Sequence, residues 1–219
     1  MSRGLGDVYK RQVNDFKDQE LKDIVKSILL ERREKLEIYP AAYRLHHAIV
    51  GGLMLHTASI VEMAEKTCQV YPNIDRELLL SGAILHDVAK TFEMETDKTG
   101  LCTGYTVSGE LIGHLVKGAM MVDEAAKKLG ITSEKVILLE HMIISHHELP
   151  EYGAAVRPKF LEAEILATLD ALDATIFEIN AATSKVEPGN FTDRQWALDS
   201  RKLYNHGLSS TEHTVNLGE

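Results

Sequence analysis

His86 and Asp87 stand side by side at the end of an apolar run, in AILHDVAK over residues 83–90. Neighbours on a helix point about 100° apart, so the pair cannot share a face, but it can grip something lying between the two side chains. A metal ion fits that description and needs further ligands. Among the ten histidines of the chain, His56, His86, His114, His141, His146 and His147 sit in or beside apolar helical segments. Asp170 adds a carboxylate in LATLDALDA, on one helical face with Leu166, Asp173 and Phe177. Taken singly, a histidine in such a setting is more often structural than a ligand. Several separate segments, each turning such a group onto an apolar face, change the balance. Buried polar groups are costly unless they converge on a partner.

Imidazole and carboxylate together, with no thiolate, suit Mn, Fe, Co, Ni or Zn. His56, His86, Asp87 and Asp170 would fill most of one site, and His114, His146 and His147 could hold a second. A carboxylate bridging two ions ~3.5–4 Å apart is the arrangement used for in-line phosphoryl displacement. Lys90, one turn past the pair, could neutralise phosphoryl charge, although a solvated lysine at a helix C-terminus explains it as well. Asp173, one turn from Asp170, is a candidate to contact substrate or to orient a ligand histidine. His46 and His47 could reach the mouth of the site, His47 as a substrate contact, or could belong to a plain interhelix loop. His141 lies five residues before His146, off that face, and reads as structural.

These groups need helices to hold them. From Phe16, Leu21, Ile24, Val25, Ile28 and Leu29 follow the i, i+3, i+4 rule, and Pro40 closes the region. A second helix starts near Leu53 and carries His56. Asn73 or Asp75 is the N-cap candidate for LLLSGAILHD. Residues 91–109 are polar and Gly-containing, which suits a loop or a short hairpin. A helix then runs through ELIGHLVKGAMMVDEAAKKLG to a stop at Gly130, and the next begins at a Thr or Ser cap in ITSEKV. After Pro158 a long helix spans KFLEAEILATLDALDATIFEI. The expectation is an all-α single domain, a helical bundle around a central metal cleft.

Composition narrows the function classes. With 219 residues the chain suits one large domain, and a net charge of −9 provides no global field for nucleic acid, so a polyanion must be gripped locally. No apolar run approaches the ~20 residues needed to span a bilayer. Cys68 and Cys102 form no disulfide framework, and a reducing, cytoplasmic setting is the simple reading. MSRGLGDVYKRQ has basic residues without an apolar stretch behind them, so it is not a secretory signal. It reads as a leader foreign to the fold. The expected organisation is that leader over 1–12, a helix and linker over 13–45, the main domain over 46–205 and a tail over 206–219.

The order His56, His86-Asp87, His114, His146-His147, Asp170 resembles the HD-domain metal-dependent phosphohydrolases. Within them, YPAAYRLHHAIVGGLMLHT, GAILHDVAK, GHLVKGA, HMIISHHE and LATLDALDA are similar to the HD domain of the YhaM-type 3′→5′ exoribonucleases. FTDRQWALDSRKLYN is similar to the C-terminal segment of that group. HHELPEYG also resembles a loop of cyclic-di-GMP phosphodiesterases. It lacks the proline after Tyr152, however, and Gly52 stands where those enzymes often place a glutamate. The resemblance implies two divalent ions bridged by Asp87 and held by His56, His86, His114, His146 and Asp170, with His147 a further candidate. Lys90 would assist hydrolysis of single-stranded RNA or short oligonucleotides to nucleoside 5′-monophosphates. A nucleotidase acting on small nucleotides and a non-catalytic nucleotide-binding module are the alternatives, and a homo-oligomer stays open. YhaM-type enzymes also carry an N-terminal OB-fold with no counterpart here, so grip on long RNA is expected to be weak.

Overall fold

The computed structural model describes residues 12–42, 49–97 and 99–216. Asp18 caps the first long helix, α1 (Gln19–Leu36), by accepting from the Glu20 and Leu21 amides. The helix buries Leu21, Ile24, Val25 and Ile28. It stops one turn before Pro40, where the Glu37 amide bonds back to the Arg33 and Lys35 carbonyls. Gly51, in the left-handed conformation at φ 73°, then turns the chain into α2 (Gly52–Val70). That conformation favours glycine, and it lets the Gly51 amide reach the Ile38 carbonyl at 3.1 Å.

Asp75 caps α3 (Arg76–Leu85) through the Leu78 amide at 3.0 Å. Every residue from Leu78 to Leu85 is buried, which makes α3 the central helix. The chain turns over residues 86–89 and makes the single turn α4 (Lys90–Glu93). Strands β1 (Met94–Thr96) and β2 (Cys102–Tyr105) follow as a small antiparallel hairpin, Met94 facing Tyr105, with a register slip between Glu95 and Thr96. The polar 91–109 stretch is therefore partly helix and partly hairpin.

The next helix, α5 (Val107–Leu129), is broken at Gly113, whose φ 74° and ψ 165° lie outside helical space. Sequence periodicity had implied an unbroken helix; its stop at Gly130, at φ 72°, matches the expectation. A Cβ on Gly118 would press on Ile143, so a glycine there lets α5 lie close against α6 (Lys135–Ser145). Neither Thr132 nor Ser133 caps α6. Glu134 occupies the cap without a side-chain bond, while Ser133 Oγ donates to Glu20 and Lys135 pairs with Asp18 and Glu20. The sequence pattern missed this because the cap hydroxyl serves a tertiary contact. The last helix, α7 (Leu161–Thr183), packs on α2, α3 and α6.

Residues 184–216 add a 3₁₀ turn at Trp196–Leu198 and two isolated antiparallel bridges, Phe191 with Tyr204 and Gln195 with Arg201. The core joins Leu53, Ile60, Leu79, Leu80, Leu85, Leu139, Met142 and Leu166. Among the described residues, regular structure other than the hairpin and these bridges is helical. Among the described residues, no helix is long and apolar enough to cross a membrane.

Candidate metal centre

Five helices deliver polar groups to one point. His56 sits on α2, His86 and Asp87 just past the end of α3, and His114 just after the break in α5. His146 and His147 follow α6, and Asp170 lies mid-way along α7. His56, His86, Asp87 and His146 are almost completely buried. Two groups of potential ligands result: His56, His86 and Asp170, and Asp87, His114, His146 and His147.

Asp87 stands between them. Its Oδ2 lies 3.6 Å from His56 Nε2 and 3.5 Å from His86 Nε2. Its Oδ1 lies 3.4 Å from His114 Nε2 and 3.6 Å from His146 Nε2. One carboxylate thus turns one oxygen to each group. Lys90 Nζ, buried, holds Oδ2 at 2.7 Å. Burial opposes ionising Asp87, but the Lys90 charge and the surrounding histidines hold its carboxyl well below the usual carboxylate range.

The outer ring nitrogens explain why the inner ones point inward. His86 Nδ1 donates to the Ala83 carbonyl at 2.8 Å, His146 Nδ1 to Ile143 at 2.7 Å and His147 Nδ1 to Tyr152 at 2.8 Å. His56 Nδ1 donates to Asp173 Oδ2 at 2.7 Å, and His114 Nδ1 to Glu93 Oε1 at 2.8 Å. Such bonds fix tautomer and ring orientation and leave each Nε2 to present a lone pair. Those lone pairs crowd together. His56 Nε2 is 3.3 Å from His86 Nε2 and 3.0 Å from Asp170 Oδ1, while Asp87 Oδ1, His114 Nε2 and His146 Nε2 are buried without a hydrogen-bond partner.

Converging acceptors of this kind call for a cation. A proton serves in part: burial works against charging His56, but Asp170 and Asp173 outweigh it and carry its pKa up to about 9. His147 goes the other way, pushed down to about 3 by burial and by His146 and His114. The donor set of imidazole and carboxylate, and the three orphaned buried atoms, fit divalent metal ions.

Two contributors escaped sequence reading. Glu93 lies in the polar 91–109 stretch that suits a loop or a short hairpin, yet its Oε1 receives the His114 ring at 2.8 Å and the His114 backbone amide at 3.1 Å. The Gly113 break frees that amide. A glycine inside a helical pattern is the available signal, though it does not name the acceptor. Gly109 is the other, since a Cβ there would collide with the Glu93 carbonyl oxygen. Asp173 is buried behind His56. His141 lies apart from the ligand groups, its Nε2 accepting from the Lys159 amide at 3.0 Å and its ring against Phe160. His46 and His47 lie outside the described residues.

Bundle, broken α5 and paired ligand groups together define the class: the chain belongs to the HD domain family, whose model matches residues 53–175. It is similar to 3′-5′ exoribonuclease YhaM of Bacillus licheniformis, 37% identical over 198 residues covering 90% of this chain and 62% of that protein. It is likewise similar to the proteins of that name from Geobacillus sp., at 38% over 187 residues covering 85% and 57%, and from Bacillus subtilis, at 36% over 198 residues covering 90% and 62%. The chain thus spans about three fifths of the length of these relatives. No solved structure matches it significantly.

Proposed function

We propose that the protein is a metal-dependent phosphodiesterase of the 3′→5′ exoribonuclease type, removing nucleoside 5′-monophosphates from single-stranded RNA or short oligonucleotides. The observation that carries the reading is Asp87, one oxygen toward each ligand group. His56, His86 and Asp170 would hold one ion, His114, His146 and His147 the other, and Asp87 both. Two divalent ions there would activate water and neutralise phosphoryl oxygens. The protein's own part is positional. Asp173, Glu93 and the Ala83, Ile143 and Tyr152 carbonyls keep the Nδ1 protons so that the rings face inward. Lys90, charged and buried beside Asp87, is placed to take up negative charge developing on a phosphoryl group.

The choice of RNA rests on the relatives' names and implies work in the cytoplasm. Hydrolysis of small nucleotides is the second reading, favoured by the net charge of −9. Bound-metal analysis, with product analysis on an end-labelled oligoribonucleotide and on free nucleotides, tests the proposal. Stepwise release of 5′-monophosphates from the 3′ end is expected. Hydrolysis of free nucleotides alone would transfer the protein to the second reading, and a metal-loaded protein inert toward every phosphoester would overturn both.

A further inference from the structure

Trp196, the single tryptophan of the chain, is 75% exposed. Phe191 is 62% exposed and Tyr204 49%, and their rings lie 4.9 Å apart. Exposure of this kind at a frayed end would mean little, but this segment is fixed. Thr192, Leu198 and Asn205 are buried beneath it. Asn205 Nδ2 donates to the Val186 carbonyl at 2.8 Å, and the Thr192 and Gln195 amides bond to Leu203 and Arg201 across the loop at 2.8 and 2.9 Å. Buried anchors thus hold the segment to the domain and leave its aromatic rings outside.

The rings are interleaved with charge. Residues 190–205 carry Arg194, Arg201 and Lys202 against Asp193 and Asp199, a local cationic excess in a chain of net charge −9. Behind Trp196 a groove of about 240 Å³ runs to α7, where Phe177, Glu178 and Ala181 line it, and to Lys185 just past the helix end. On α7, Phe177 and Ala181 share the face of Asp170, so the groove begins roughly 10 Å along the axis from that ligand, at 1.5 Å per residue. We infer that this segment and the last turns of α7 form a stacking platform for single-stranded RNA whose 3′ end lies in the metal centre.

The inference rests on the proposed reading for its substrate. Aromatic faces beside cations are what binds single strands without sequence preference, because every base offers a π-face and every linkage a phosphate. A second copy of the chain is a poorer occupant: a two-fold contact would set Arg201 and Lys202 near their own duplicates.

Trp196 reports on the platform directly. A short phosphorothioate oligoribonucleotide, resistant to cleavage, should quench the tryptophan emission of the metal-loaded protein saturably, with weaker binding as salt rises. Trp196→Ala should raise KM for a short RNA on the order of tenfold, the scale of one lost base stack. Its KM for bis-p-nitrophenyl phosphate should not change, and Trp196→Phe should restore most of the RNA KM. Absent quenching, equal KM changes for both substrates, or an emission shift that follows protein concentration without RNA would overturn the platform. Quenching by the phosphorothioate together with no cleavage of the unmodified RNA of the same sequence would retain the platform and sink the exoribonuclease reading, so the two fail separately.

Discussion

Each imidazole at the centre spends its outer N–H on a fixed acceptor, and the consequences differ by acceptor. Glu93 holds His114 twice, by ring and by backbone. Glu93→Ala should therefore weaken metal binding by about 10–100-fold, the usual effect of losing such an outer partner, in a metal titration followed by calorimetry. Lys90 acts differently, since it touches Asp87 but offers no lone pair to a metal. Lys90→Ala should keep its metal and lose about 10²–10³ in kcat, as for one lost transition-state charge contact. The imidazoles could be read from the chain because each interrupts an apolar helical face. Glu93 could not, because its role depends on a broken helix turning His114 toward it.

Helix existence followed from periodicity, whereas helix interruptions and caps followed from tertiary contacts. Leu21, Ile24, Val25 and Ile28 mark α1, and all four are buried as their spacing requires. Gly113 shows the limit: apolar spacing continues through it while the backbone does not. Gly113→Ala would place a Cβ in backbone space nearly reserved for glycine, costing about 1–3 kcal/mol. A lowered urea midpoint should accompany reduced metal content, since the His114 amide would lose its orientation.

The start of α6 makes a second case, its lysine tied to the cap of α1. Partial burial works against the Asp18 charge, but Lys135 and the Leu21 and Glu20 amides outweigh it and hold its pKa below the usual 3.8. A carboxylate lowered in the folded state stabilises above its unfolded value, and that contribution is lost as pH falls through the folded one. Lys135→Met should lower the unfolding free energy at neutral pH, read from urea titration, by at most about 1 kcal/mol for so exposed a pair. The gap from wild type should shrink as pH drops below 3.8. An unchanged gap would remove the pair from the account.

Across the whole molecule, charge and chemistry are separated. The chain is acidic overall, so the proposed RNA substrate would be held by few contacts, and Arg194, Arg201 and Lys202 offer three. At about −0.7 per phosphate for single strands, log Kd against log salt should have a slope of magnitude roughly 2, far below that of a basic nuclease. The centre is reached from five helices at once, which is why a sequence order of scattered histidines becomes one site only in the folded chain. Everything there is arranged around Asp87. The most direct measurement is metal content per chain alongside turnover for Asp87→Ala in a folded preparation checked by circular dichroism. The account predicts loss of bound metal and a fall in hydrolysis of several orders of magnitude. Full metal content with full activity would contradict it, and would reduce the His86-Asp87 pair to a polar end on a buried helix.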